Sequence, residues 1–151
     1  MVLMHDMPKV ARERLEEVEM PDFTGRPWTA PVAAAERKVA VVSSAGLSKR
    51  GDKPFSWSAR DYRAFSAGDK NLVMTHVAVD YDRTAWQQDL NAILPVDRLN
   101  EMAADGEIGA VAETHYSFMG ATDPLEYEKS VHDVASRMKA EGVNTVLLAP
   151  V

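Results

Sequence analysis

Continuous apolar runs along the chain predict two strands that are buried on both faces. The first run is Lys38–Ser43 and the second covers residues 143–151. Neither run alternates with polar residues, which is the pattern of parallel strands covered on both sides. Residues 71–77 supply a third, shorter strand, and residues 107–118 have room for a short strand or an extended segment.

Two segments between these strands carry apolar residues at helical spacing. Residues 92–105 end at Gly106, and residues 124–141 lie between Asp123 as a cap and Gly142 as a stop. The predicted apolar faces are Val96, Leu99 and Met102 in the first helix, and Leu125, Val131, Val134 and Met138 in the second.

The beginning of the chain predicts an extension rather than part of the core. Residues 8–19 have the charge density of a surface helix, with Asp6 as its cap. Residues 20–31 contain three prolines and one glycine, which predicts an irregular arm. Trp28 in this arm is expected to anchor it to the domain or to a partner subunit.

The alternation of strands and helices with short connections predicts an α/β fold with a mostly parallel sheet. With helices on both faces, this is a Rossmann-like or flavodoxin-like arrangement of three layers. Residues 38–151 are expected to form the α/β domain, and residues 1–37 the N-terminal helix and proline-rich arm.

Composition narrows the classes of function. The 151 residues are 46% apolar and carry a formal net charge of −6, which disfavours binding to nucleic acid or to an anionic membrane. No apolar run approaches the roughly 20 residues that cross a bilayer, and no signal peptide is visible, so the cytoplasm is expected. The chain contains no cysteine, which excludes disulfides and thiolate metal sites within it.

Hydrogen-bonding residues are densest just after the strand predicted at 71–77. In a doubly wound fold this position, beyond the carboxyl end of a strand, is where ligands bind. A histidine beside a carboxylate suits a general base or a substrate-orienting group, and an arginine suits a carboxylate ligand. The candidate substrate-binding residues here are His76, Asp80, Asp82, Arg83, Gln87 and Gln88. A solvated loop with local caps is the alternative.

Other ligands have weaker support in the sequence. His76, Asp80 and Asp82 are too few and too irregularly spaced to predict a metal site, so none is expected. The small-residue turn over 43–47 lacks the GxGxxG spacing, which favours a plain tight turn over a flavin or nucleotide site.

A second polar cluster lies at residues 114–120. His115, Tyr116 and Ser117 are candidate substrate-binding residues, with His115 as a loop or subsite residue. A hydrolase nucleophile is not predicted, because the Gly-x-Ser-x-Gly elbow is absent.

Four blocks of sequence together resemble the glycine/sarcosine/betaine/D-proline reductase selenoprotein B family. They are the segments DYDRTAWQQDLN at 80–91, LPVDRL at 94–99, GEIG at 106–109 and HYSFMG at 115–120. The resemblance extends over about residues 38–151. It implies an α/β protein whose reactive residue is a selenocysteine or cysteine in a short U/C-x-x-C motif after an apolar strand.

The resemblance implies a reaction and a position for the nucleophile. The reaction is reductive cleavage of a C–N bond in a small amine or amino acid, in which a selenolate attacks carbon activated by a partner's pyruvoyl group. Reductase partner subunits and thioredoxin-linked recycling follow from the same resemblance. Selenocysteine or cysteine is expected downstream of Val151, with that terminus created by a UGA codon read as stop, so the given chain is expected to be inactive.

A function of a different class stays open at this stage. The polar clusters also suit a non-catalytic module that binds a small anion or a partner. In that case the proline-rich arm with Trp28 would support homo-oligomerisation.

Overall fold

The computed structural model describes residues 3–17, 25, 29–78 and 83–151. In these residues the helices are α1 Lys9–Glu16, α2 Thr84–Gln88, α3 Val96–Ala104 and α4 Glu128–Ala140. The strands are β1 Lys38–Ser43, β2 Leu47–Lys49, β3 Tyr62–Ser66, β4 Leu72–Met74, β5 Ala110–Val111, β6 Thr114–Phe118 and β7 Thr145–Ala149. Short 3-10 helices cover Met4–Asp6, Ala34–Glu36, Leu90–Ala92 and Pro124–Tyr127.

The main sheet is built around β1, in the spatial order β3-β6-β1-β7. β5 and β6 pair in parallel with successive halves of β1 on one side, and β7 pairs in parallel along all of β1 on the other. β3 joins the far side of β6 as an antiparallel edge strand. The prediction of a mixed α/β fold with a mostly parallel sheet is therefore confirmed.

Apolar side chains cover both faces of β1, which explains its unbroken apolar sequence. Val39 and Val41 belong to a cluster on the side of α3 that includes Val96 and Leu99. Ala40 faces the other way, into a cluster on the side of α4. Tyr116, Phe118, Tyr127, Val134 and Met138 complete this second cluster.

A second, two-stranded sheet contains β2 and β4, paired antiparallel. The strand predicted at 71–77 is therefore shorter than expected and lies outside the main sheet. The segment after β1 also differs from expectation, because residues 47–49 form a strand where only a turn and a polar stretch were predicted. No helix begins directly after β1, so that turn lacks the helix N-terminus that binds phosphate in nucleotide sites.

The helix predicted at 124–141 is confirmed in part, because Pro124–Tyr127 form a 3-10 turn and α4 begins at Glu128, and its predicted apolar face is corrected. Asp123 caps the preceding 3-10 turn by accepting a hydrogen bond from the backbone N–H of Leu125, and Gly142 has the positive φ of a helix stop. Leu125 and Val131 are exposed, however, at 68% and 50%. The 3-10 geometry places Tyr127 in the core instead of Leu125.

The other helix predictions are confirmed in part. α3 begins at Val96, four residues later than predicted, with Pro95 as its N-cap, and Met102 lies at the margin of the buried face. α1 begins after Pro8, so the assignment of Asp6 as its cap was wrong; Asp6 lies in a 3-10 turn. Most of the proline-rich arm, including Trp28, lies outside the described residues.

Within the described ranges, no helix combines the length and apolar character needed to cross a bilayer.

Candidate functional site

The carboxyl ends of three parallel strands meet at one cleft. β1, β6 and β7 run in the same direction and end side by side, which is the edge where open α/β sheets bind ligands. The cleft has a volume of about 180 Å³. Its walls are almost entirely apolar, and its lining residues are Val42, Ser43, Ser44, Phe118, Leu148, Ala149 and Pro150.

Ser44 holds the end of β7 against the end of β1. Its backbone N–H donates to the carbonyl of Ala149 at 3.1 Å, and its hydroxyl oxygen accepts from the backbone N–H of Val151 at 2.8 Å. The backbone that continues from β7 is thereby fixed at the mouth of the cleft.

Two glycines let His76 approach the same edge. Gly46 follows β1 with φ +62°, and Gly120 follows β6 with φ +88°. A Cβ at Gly46 would lie 2.8 Å from the Cα of His76. A Cβ at Gly120 would lie 3.1 Å from the Nε2 of His76 and would collide with the carbonyl oxygen of Ser44. Only glycine fits at both positions, since each has a left-handed φ as well as a crowded Cβ site.

The hydrogen bonds of His76 define its tautomer. Its Nδ1 accepts from the backbone N–H of Ala78 at 3.1 Å, so the ring proton of the neutral imidazole is on Nε2, the atom beside Gly120. The Arg83 guanidinium donates to the carbonyl of Ala78 and, at 3.5 Å, to that of His76. Arg83 therefore fixes the backbone of the His76 loop.

Two of the remaining members of the first polar cluster belong to the described residues. Gln87 and Gln88 are exposed on α2, a helix that sequence reasoning read as a loop. Asp80 and Asp82 lie outside the described residues. Among the residues that are described, no group of three or more His, Asp or Glu side chains is arranged to hold a metal ion.

The second polar cluster is buried inside strand β6, and its members point to two sides of the sheet. His115 accepts from the backbone N–H of Val41 through Nδ1 at 3.1 Å, and Ser117 accepts from the backbone N–H of Leu47 at 2.9 Å. Tyr116 points to the opposite face, where its ring meets Tyr62 edge to face at 5.6 Å. All three side chains therefore contact the core or backbone.

Burial lowers the pKa of His115 below its ordinary value, while the nearby carboxylates of Glu141 and Glu113 act in the opposite direction. The buried imidazole is accordingly neutral, with its proton on Nε2 because Nδ1 accepts a hydrogen bond.

Sequence reasoning missed Ser44, Gly46 and Gly120 as parts of this edge. The available signal was a pair of short turns containing glycine, each directly after a strand that runs toward the same edge. A glycine with a side chain packed against it has no distinctive sequence pattern, because the approaching residue, His76, lies 30 positions after Gly46 and 44 before Gly120.

Comparison with known proteins places residues 6–151 in a match to the family described as glycine/sarcosine/betaine reductase selenoprotein B. The glycine reductase complex component B subunit gamma of Carboxydothermus hydrogenoformans is 32% identical over 87% of this chain and 32% of its own length. The D-proline reductase subunit gamma of Acetoanaerobium sticklandii is 30% identical over 87% of this chain and 56% of its own length. The chain thus spans about a third to a half of these relatives. No solved structure matches.

Proposed function

The chain belongs to the glycine/sarcosine/betaine reductase selenoprotein B family, and on this premise we propose that it forms the substrate-binding scaffold of a reductase subunit. The reaction proposed is reductive cleavage of a C–N bond in a small amine or amino acid. The observation that carries this proposal is the meeting of β1, β6 and β7 at one apolar cleft, with His76 packed against Gly120 next to Ser44, a residue that lines the cleft.

The reactive atom is proposed to enter the cleft from the segment that follows β7 in the family. A selenocysteine or cysteine there would form a bond to the substrate carbon as the C–N bond breaks. The electron pair of the C–N bond leaves on nitrogen, which takes a proton from solvent. The Ser44 hydroxyl supports this placement, since it holds the backbone of Val151 at the mouth of the cleft.

His76 is proposed to donate a hydrogen bond from Nε2 to the departing nitrogen and so to stabilise the charge that develops there. Its Nε2 carries the ring proton and faces Gly120, while Nδ1 is occupied by the Ala78 N–H. Removing one preorganised hydrogen-bond donor of this kind costs about 10²- to 10³-fold in rate. The apolar walls of the cleft suit the carbon skeleton of a small substrate.

The other predicted site residues are proposed to have graded roles. Asp80, Asp82, Gln87 and Gln88 are assigned to substrate contact, and Arg83 to holding the loop that carries His76. His115, Tyr116 and Ser117 are assigned to support of the same site from within β6, because their side chains are buried.

We extend the proposal to the setting of the subunit. The partners proposed are further subunits of a reductase complex and a thioredoxin-linked protein that restores the nucleophile with two electrons. The relatives are named as subunits of such reductases. The complete subunit is proposed to be cytoplasmic and to have the three-layer Rossmann-like or flavodoxin-like arrangement, with residues 38–151 as its first α/β domain.

The proposal is tested by turnover of the protein extended with the Sec- or Cys-containing segment and combined with the pyruvoyl-bearing partner subunit of the complex. Glycine, sarcosine, betaine and D-proline are supplied with a dithiol, and the released amine or the opened ring is measured. We expect turnover with at least one substrate, and none when the nucleophile is replaced by serine. Sequencing beyond codon 151 is a separate check, and a UAA or UAG codon with no downstream frame contradicts the placement of the nucleophile.

A second candidate function is a non-catalytic assembly module. The exposed apolar side chains of β7 favour it, because Leu148 is 69% exposed on a strand that pairs only with β1 in the described residues. Stable homo-oligomers without turnover in the extended protein would support this candidate over the reductase.

A further inference from the structure

A break in register lies between the two strands that pair with one side of β1. Val39 pairs with Val111, and Val42 pairs with Tyr116. β1 advances three residues over this interval while its neighbour advances five, so two extra residues are accommodated between β5 and β6. An insertion of this kind interrupts the backbone ladder and leaves hydrogen-bonding groups without a backbone partner.

His115 repairs the ladder at the break. The N–H of Ala112 still reaches the carbonyl of Val39 at 2.8 Å. The next backbone N–H that β1 directs toward β5 and β6 is that of Val41. It donates instead to the Nδ1 of His115 at 3.1 Å. The imidazole therefore replaces a strand carbonyl, and it is fully buried while doing so.

The register of β6 on β1 determines which residues come into contact beyond this break. Two residues farther along β6, Ser117 accepts from the N–H of Leu47 at 2.9 Å, and the Phe118 carbonyl accepts from the N–H of Gly46 at 2.8 Å. These bonds hold the turn after β1 and bring Gly120 against His76. Slippage of β6 by even one residue would turn every side chain to the other face of the sheet.

We propose that His115 is a positioning residue for the carboxyl-edge site: as a neutral ring it locks the register of β6 on β1, and its protonation releases that lock. A protonated Nδ1 cannot accept from Val41, so one proton both removes the hydrogen bond and places a charge in the core. This role concerns the geometry of the site and does not depend on the reaction carried out there.

The charged groups around His115 are too weakly placed to stabilise a buried imidazolium. Glu113 and Glu141 are the carboxylates that act on it. The Glu141 carboxylate is already shared, accepting from the backbone N–H of Glu113 at 2.5 Å and lying 3.6 Å from the Nζ of Lys38. Among the described residues, the Nε2 of His115 has no hydrogen-bond partner for the proton that it carries, and the Nδ1 that would take a second proton faces the N–H of Val41.

Two substitutions separate the hydrogen bond from the titration. His115→Asn keeps an acceptor near the position of Nδ1 but does not titrate, whereas His115→Leu fills the site without an acceptor. At about pH 7.5 we expect the Val41 amide in His115→Leu to lose protection from hydrogen exchange by roughly 10- to 100-fold, while His115→Asn keeps it. The His76 Hε1 resonance is expected to move in His115→Leu and to stay near its wild-type position in His115→Asn.

Lowering the pH tests directly whether protonation of His115 breaks its hydrogen bond to Val41. At about pH 5.5, one unit below the ordinary histidine pKa of about 6.5, we expect the Val41 protection factor of the wild type to fall roughly tenfold. Protection in His115→Asn is expected to stay constant, and the exposed-histidine control His132→Asn is expected to follow the wild type. Equal loss of protection in the wild type and His115→Asn would overturn the proposal. If His115→Leu does not fold, this comparison alone decides it.

Discussion

At the scale of single residues, the site depends on two glycines, because a Cβ atom at either position would collide with a neighbour. Gly46 and Gly120 leave the space that His76 and the Ser44 carbonyl occupy, and both adopt φ values that other residues rarely do. The conformational penalty of a positive φ is common to several glycines of the chain. Crowding at the Cβ position is not, and it distinguishes the two site glycines from those that only end a helix or shape a turn.

Gly120→Ala should therefore destabilise the protein more than Gly142→Ala. The two glycines have similar φ values, +88° and +79°, but a Cβ at Gly142 meets no atom within 4 Å. We expect a loss of about 1–2 kcal/mol for Gly142→Ala from backbone strain, and at least about 1 kcal/mol more for Gly120→Ala. Urea unfolding measures both, and equal losses would mean that His76 and Ser44 are not packed against Gly120.

A second residue-scale prediction concerns acid stability. Because burial lowers the folded-state pKa of His115, the unfolded chain binds a proton that the folded chain does not as the pH falls below about 6.5. The contribution is complete above the unfolded pKa and is lost toward the lower folded pKa. The slope reaches at most about 1.4 kcal/mol per pH unit, and His115→Asn should remove it from the stability profile measured by denaturation. An unchanged profile would show that His115 does not titrate in this way.

At the scale of secondary-structure elements, a long apolar strand and the residues that bound a helix could be predicted from the sequence. Short strands and strands on an edge of the sheet could not. β1 was predicted with its full range, because both of its faces are buried. α4 was predicted from Asp123 and Gly142, which act through local hydrogen bonds and backbone conformation. In contrast, β3 alternates in burial on an edge, and β2 has only three residues.

The site was harder to predict from the sequence than the fold, because it depends on contacts between residues that are far apart along the chain. The prediction that polar residues cluster beyond strand ends led to His76, but the strand before it, β4, is not in the main sheet. His76 reaches the carboxyl edge through packing against Gly46 and Gly120, which is a tertiary contact. The buried bonds of His115 and Ser117 likewise depend on the register of β6, which no local pattern specifies.

The cap of the 3-10 turn that precedes α4 provides an element-scale prediction. The Asp123 side chain accepts from the N–H of Leu125 at 3.0 Å, at the start of the 3-10 turn that leads into the helix. Asp123→Ala should cost about 1 kcal/mol, seen as a lower urea midpoint. The control is Asp105→Ala, at the C-terminal end of α3. Its stability should stay within about 0.5 kcal/mol of wild type. Equal effects would exclude a capping role for Asp123.

At the scale of the whole molecule, the sheet has an apolar strand along one side. β7 has no charged residue and no bulge, and Leu148 is exposed on it. Natural proteins usually protect such strands with charge or with a covering element. The chain spans about a third to a half of the length of the relatives that it matches.

Leu148→Lys should therefore reduce concentration-dependent association, measured by light scattering. Leu125→Lys is a matched control, because Leu125 is 68% exposed and Leu148 is 69% exposed, but only Leu148 lies on the strand edge. We expect Leu125→Lys to associate like the wild type, and Leu148→Lys to stay dispersed to higher concentration. If both variants behave alike, β7 is not the surface through which the chain associates.

The most direct measurement of the central claim is kcat for the His76→Asn variant of the protein extended with its nucleophile-bearing segment. Asparagine keeps an acceptor for the Ala78 N–H but lacks a donor in the place of Nε2, and His132→Asn removes an exposed histidine as the control. We expect kcat to fall by roughly 10²-fold in His76→Asn, through loss of the Nε2 donor, and to be unchanged in His132→Asn. Wild-type turnover in a folded His76→Asn variant would contradict the central claim.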